Sequence, residues 1–484
     1  DEVTSEQDVS NMNKIVSLFL DEHNKMRGTL SLEDPSSINK RGAAFLRDWT
    51  SLAVMGKVIY SATVDAGRPI MVNGFRKTFG VGLNNFITNQ EGYFRAIDNL
   101  RYMGVAAEVA LGMARKRFIE DGGQIGKASS KLGRWFDRQA AKVHNFQATF
   151  YTVNGLTPWT QMMKDFQGVI SAHRFIEDSV AWNKNQLDVV GQQRLLSYGI
   201  DKKTADLFAK MPYEDLEGLL TANTNNWGSR KGGLVASRKF KEALYADINR
   251  TIITPSSADQ LNMMHGVIKV RNPNYVDFFN SSKVAKFVGF QKTDYGGQFS
   301  NAWVGLPFQF FSWGIAANRR LVISGMQGRE QNAVMGMLAM VTLGMMADRM
   351  KNKRAWQNKS TEEKMIRAVE QSGVLGIFSD LNFMAETVSG GLTGQPIGLR
   401  PLLGAEPRFG DANVMDATGE FVGAGPSLLL DAAYMFGSDS TFDERRNSAR
   451  RLLPLQNLWL WDEKFKSIYN KRTNFLRREN NDDS

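Results

Sequence analysis

Apolar residues recur along the first two-thirds of the chain at steps of three and four. The clearest run is Ile97, Leu100, Met103, Ala107, Leu111, Ala114 and Phe118, with Arg95, Arg101, Glu108 and Arg115 lying off it. A helix turns once every 3.6 residues, so this spacing draws one apolar stripe on one helix face. Trp159, Met163, Phe166, Ile170, His173 and Ile176 draw a second. Helix-bundle packing is the expected use of both. Prolines do not interrupt them, since residues 1–211 hold only Pro35, Pro69 and Pro158. Sustained period-two alternation is hard to find, and Val267–Val270 reads at most as an isolated strand.

Capping residues mark several helix starts. Thr254-Pro255 is a cap followed by the favoured first-turn proline. Ser360-Thr361-Glu362-Glu363 and Thr441-Phe442-Asp443-Glu444 are capping boxes, the second helix stopping before Pro454. Asp201 caps a short helix through Phe208, and Pro212 opens another through Leu220. The expectation is an all-α chain: an elongated multi-helix assembly with soft boundaries near 155, 300 and 370.

Near residue 370 the texture changes. Glycine becomes dense between Gly373 and Gly437, joined by Pro396, Pro401, Pro407 and Pro426. That segment reads as irregular loop with short apolar helices such as Pro426–Phe436. It is followed by basic C-terminal helices. Just before it, Ala333–Ala347 runs fifteen residues without charge. A spanning helix needs about 20 apolar residues, so a buried core helix is the first expectation. Gly336, Ala339 and Gly344 allow close helix contact. Trp303, Phe308, Phe310, Phe311 and Trp313 lie upstream, beside Arg319 and Arg320, as residues of a bilayer interface do. Trp303, Phe308, Phe310, Phe311, Trp313, Met337, Met340 and Leu343 are therefore candidate membrane or subunit contacts. Residues 303–347 are expected to be buried in protein in one state and to meet lipid in another.

The 484 residues carry a net charge of +10 and no cysteine. Disulfides, thiolate metal sites and cysteine nucleophiles are thereby excluded. His23, His144, His173 and His265 are scattered and form no HExxH, so no metal is expected. The chain has no P-loop, no dinucleotide fingerprint and no GxSxG elbow, and neither a cofactor nor a catalytic residue is expected. Methionine is frequent at 22 residues and packs adaptably.

Basic residues cluster in three places. One is Arg115, Lys116, Arg117, Lys127, Lys131, Arg134, Arg138 and Lys142. The second is Arg230–Arg250, where a solvated helix face is the plainer reading. The third is a C-terminal tail with Arg445, Arg446, Arg450, Arg451, Lys471, Arg472, Arg477 and Arg478, interleaved in its later half with Trp459, Trp461, Phe465, Tyr469 and Phe475. Such groups neutralise phosphates without reading sequence, and aromatics stack on exposed bases. Arg115, Lys116, Arg117, Lys131, Arg134, Arg138 and the tail arginines with Lys471 are candidate DNA-backbone contacts. Solvated faces and subunit salt bridges are the alternative.

The order of several stretches carries a resemblance. These are Phe45–Trp49, Leu52–Gly56, Tyr60–Pro69, Asn154–Thr160, Leu306–Trp313 and Gly373–Asp380. In that order they resemble the large internal virion proteins, the core or DNA-ejection proteins, of short-tailed bacteriophages. The resemblance implies a homo-oligomeric ring in the capsid core, in contact with other core proteins and the portal. It implies ejection with the genome and reassembly as a channel for double-stranded DNA through the host periplasm to the inner membrane. Some members carry a transglycosylase domain, whose catalytic-glutamate motif is not matched here; the chain is expected to correspond to a part beyond that domain. A core or portal-associated structural protein without membrane activity, and a murein-degrading enzyme, are the other readings.

Overall fold

The computed structural model describes residues 6–104 except 28, 29, 35 and 36; 130–253; 262–308 except 284, 285, 287, 288, 294 and 295; 315–317; 331–375 except 353–355; and scattered positions from 378 to 453. Helix dominates. In chain order the helices are α1 (Glu6–Arg27), α2 (Ile38–Val54), α3 (Val58–Ala62), α4 (Arg68–Lys77), α5 (Asn84–Thr88), α6 (Gln90–Tyr102), α7 (Lys131–Val153), α8 (Leu156–Asn183), α9 (Val189–Ser197), α10 (Lys202–Ala209), α11 (Gly233–Thr251), α12 (Pro273–Ser281), α13 (Gln331–Lys351) and α14 (Thr361–Gln371). The strands are β1 (Glu214–Leu216), β2 (Leu219–Thr221), β3 (Val267–Val270), β4 (Phe290–Thr293) and β5 (Gly296–Ser300).

Local chemistry starts these helices. The side chains of Asp201 and Ser360 accept from the backbone N–H of Thr204 and Glu363, at 2.9 and 3.1 Å, and open α10 and α14. Each satisfies a donor that the first helical turn leaves over. Three expectations are corrected. The stripe from Ile97 does not continue as one helix, because α6 ends at Tyr102 and Gly104 turns the chain with φ +94°. Tyr245 fixes that end by donating to the Met103 carbonyl at 2.8 Å. Pro212 opens a hairpin rather than a helix. Glu217 and Gly218 both take positive φ, the geometry of a two-residue hairpin turn, so β1 and β2 pair antiparallel with Leu216 opposite Leu219. Val267–Val270 is not isolated. It pairs antiparallel with β5, which also pairs with β4, giving the order β3-β5-β4. The stripe beyond Ala107, Thr254-Pro255, Thr441–Glu444 and most of the Gly/Pro-rich segment lie outside the described residues.

Two of the apolar cores among the described residues seat the long helices α8 and α13, and the residues of the second flank those of the first in sequence. In the first, α8 is the axle. Nearly every residue from Met163 to Ile176 is buried, so the helix is covered all round by α6, α10, α11 and the β1–β2 hairpin. Phe175, Phe208, Trp227 and Phe240 meet there edge-on or tilted, with centroids 5.3–6.2 Å apart. A helix buried on every side must match its polar residues internally. Asp247 of α11 does this. It accepts from Arg174 at 2.9 Å, from Gln167 at 2.8 Å, and from Ser171 and Tyr198. Asn73 of α4 joins through Gln167 and Arg174. Burial pushes the Asp247 carboxyl up, but Arg174 and the hydroxyl and amide donors outweigh it and hold it below the ordinary range.

The second core seats α13 on α4 and α14. A Cβ on Gly336 would strike the backbone of Met71, and one on Gly344 would strike the carbonyl of Ala368 and stand 2.9 Å from the Ser372 nitrogen. The small residues of the apolar run therefore make helix contacts inside this chain. Arg367 of α14 clamps Asp348 of α13 with two hydrogen bonds, 3.0 and 2.9 Å long.

Removing one partner of a buried pair strands the other charge, at a cost of about 3–5 kcal/mol. Asp247→Ala should lower the unfolding free energy by about that amount in urea titrations. The double variant Arg174→Met/Asp247→Leu should be less destabilised than Asp247→Ala alone. Gly336→Val should cost about 1–3 kcal/mol by overpacking against Met71.

Candidate functional site: apolar faces and basic surface

Helix α13 has two opposite sides. Ala333, Gly336, Met340, Gly344, Ala347 and Asp348 face inward and are buried. Met340 has no exposed surface and lies over Gly67, where a Cβ would stand 2.8 Å from its Cγ. Met337 and Leu343 are partly buried against the same core. These three candidate contacts thus pack inside the chain. The outward side carries Val334, Met335, Leu338 and Met346, all exposed. Residues Asn332–Lys351 are long and apolar enough to cross a membrane, with 33% of the apolar window buried in the chain. At its C-terminal end Lys351 donates to Ser61 and, at 2.7 Å, to Gln371, and burial draws it down to about 8. Arg349 and Lys364 both lie over the Trp356 ring, at 5.3 and 4.5 Å.

Among the upstream aromatics, Trp303 is half-buried against Gly42 of α2, 3.4 Å from where a Cβ would be. Phe308 closes a 3₁₀ segment from Ala302. Phe310, Phe311 and Trp313 lie outside the described residues. Further exposed apolar side chains lie between α4 and α6: Phe75 and Phe79 pack tilted with ring centroids 4.2 Å apart, and Phe86, Ile87 and Phe94 are exposed as well. Nothing in the sequence marked these residues as different from core, because apolar residues in a helical run look alike until their neighbours are known.

The basic surface is α7. Ser130 caps it by accepting from Gly133 at 3.0 Å. Lys131, Arg134, Arg138 and Lys142 follow at steps of three, four and four, and all are exposed on one face. The one acid of this helix, Asp137, points to α2 and pairs with Arg41. Trp135 and Phe146 are exposed beside the stripe. Arg115, Lys116 and Arg117 lie outside the described residues, as do Arg446, Arg451, Lys471, Arg472, Arg477 and Arg478; Arg445 is exposed and Arg450 half-buried. The structure brings together Lys131, Arg134 and Arg138. In 230–250, Arg238 approaches Glu242 at 3.9 Å, Lys239 donates to Thr204, Lys241 donates to Asn225, and Arg250 lies over Tyr198. Those cations are occupied locally.

A smaller cationic group surrounds His265. Its Nε2 is buried without a hydrogen-bond partner among the described residues. Burial, then Arg47, Lys25 and Lys40, push its imidazole down to about 4. Among the described residues no three His, Asp or Glu side chains gather as a metal site. Among the described residues the arrangement exposes positive charge along α7 and apolar side chains along α13.

Comparison with family models, with curated proteins and with solved structures returns no match.

Histidine free in the unfolded chain takes a proton near 6.5, whereas folded His265 takes one near 4. Between these values the unfolded state binds more protons, so stability falls as pH drops from 6.5 to 4. His265→Gln should remove that part of the slope in unfolding measured across the window.

Proposed function

We propose that this chain is an internal virion protein of a short-tailed phage, ejected with the genome and assembling into a channel that passes viral DNA across the host envelope. One observation carries the reading. A chain with well-packed cores leaves apolar side chains uncovered, on α13, between Phe75 and Phe94 and on α1, where Ile15 and Phe19 are exposed. Soluble monomers rarely leave large contiguous apolar patches to water, and such faces mark contact with partners. The resemblance in the order of sequence stretches points the same way. The α7 stripe supplies what a passing duplex needs, which is backbone-directed positive charge without base readout. A cysteine-free chain has no covalent lock against loosening and refolding during ejection.

A second reading, a core or portal-associated protein that never meets lipid, is favoured by the inward side of α13. Its glycines and Met340 are already committed to α4, α14 and Gly67. The outward stripe discriminates the two. In the channel reading it meets lipid or a neighbouring subunit at the membrane; in the other it meets protein in the capsid alone.

The reading is tested by duplex DNA binding. The chain should bind unrelated sequences equally, and affinity should fall steeply with salt. Lys131→Glu/Arg134→Glu/Arg138→Glu should weaken binding at least tenfold and flatten the salt slope by about 0.9 for each phosphate the variant no longer neutralises. Unchanged affinity would return α7 to a solvated face.

A further inference from the structure

Helix α1 is inside out. Its inward residues are Ser17, Asp21 and Lys25, all buried. Asp21 accepts from Asn262 at 3.1 Å and pairs with Lys269 of β3, and Ser17 accepts from Arg271 at 3.3 Å. Lys25 pairs with Glu22 at 2.8 Å. The opposite face is apolar and exposed: Ile15 is 67% and Phe19 72% accessible, with Met12 and Val16 beside them. Rotating the helix to bury this face would pull Asp21 from Lys269 and Asn262. The polar contacts therefore lock the apolar face outward.

We infer that α1 is a self-association helix that pairs antiparallel with α1 of a second copy of this chain. The positions of the outward face carry the choice of partner. Met12, Ile15, Phe19 and His23 follow at steps of three, four and four, which is the seam of a two-helix contact, and sequence position 8, an aspartate, continues the same spacing. The seam is self-complementary about the midpoint between Ile15 and Val16. Pairing there sets Met12 level with Phe19, Ile15 level with Val16, and the acidic position 8 level with His23. Apolar positions meet apolar ones, acid meets base, and the two helix dipoles oppose. An anionic lipid surface would instead meet an acidic position within the seam. An isologous pair of this kind closes at two copies, so a larger ring would use the other apolar faces as well. This deepens the assembly reading above by naming one contact, and it stands or falls separately from DNA binding by α7.

The absence of cysteine makes the test clean in the full-length chain. Val16→Cys, close to the two-fold point, should cross-link with itself on mild oxidation. Met12→Cys and Phe19→Cys should each cross-link poorly alone and efficiently when mixed. Leu234→Cys, exposed on α11, serves as the surface control. In sedimentation, Ile15→Asp/Phe19→Asp should weaken self-association at least tenfold while the circular dichroism and thermal midpoint hold. Three outcomes overturn the proposal. The first is Met12→Cys cross-linking with itself as well as in the mixture. The second is sedimentation in which the double variant associates like the parent chain. The third is a double variant that loses binding to phosphatidylglycerol vesicles while its copy number is unchanged. DNA binding that persists in an unpaired chain would remove this contact and leave the α7 reading intact.

Discussion

The fold turns on one buried charge pair. Arg174 and Asp247 are both fully enclosed, and a bare charge in such a place would be untenable. Together they cancel; Asn73 accepts from Arg174, and Gln167, Ser171 and Tyr198 donate to Asp247, while the Arg174 Nε is buried with no partner among the described residues. Because these groups come from α4, α8, α11 and the end of α9, the network fixes four elements against each other in one register. The edge-on aromatic packing beside it supplies apolar burial, which is less demanding about orientation. The charge pair supplies the orientation.

That register has consequences at a distance. With α4 fixed by Asn73, its neighbouring positions Met71 and Gly74 present the surface on which α13 lies, Gly336 over Met71 and Asn332 beside Gly74. Seating α13 this way turns Val334, Leu338 and Met346 outward. A second polar anchor, Asp21 with Lys269 and Asn262, does the same for α1. In both cases specific inward contacts decide which apolar residues face water. The exposed faces are a product of the fold and not of loose packing.

What could be read from the sequence was what local chemistry decides. Asp201 and Ser360 cap where expected because an N-cap needs only a side-chain oxygen and a backbone N–H two or three residues on. The apolar stripe from Trp159 to Ile176 lies on one helix, α8, as its spacing of three and four predicts, although burial there extends to polar positions such as Gln167 and Arg174. Errors arose where a distant partner or a single dihedral decides. Leu219 and Leu220 look helical after Pro212, but positive φ at Glu217 and Gly218 folds them back. The strand at Val267–Val270 takes its partner from Gly297–Ser300, beyond the reach of a local pattern. The Asp21–Lys269 contact spans 248 positions, so the inversion of α1 was invisible in its own sequence. Of the basic stripe, Lys131, Arg134 and Arg138 were legible because helical spacing alone gathers them. That Asp137 is drawn away to Arg41 was not.

Counting copies of the purified full-length chain by mass photometry tests the central claim most directly, alone, on linear duplex DNA and with anionic vesicles. The account predicts discrete multi-copy species in solution, with closed rings or tubes gathering on DNA and membrane. A chain that stays single under all three conditions would contradict it, since the apolar faces on α1, α4 and α13 would then be surfaces without partners.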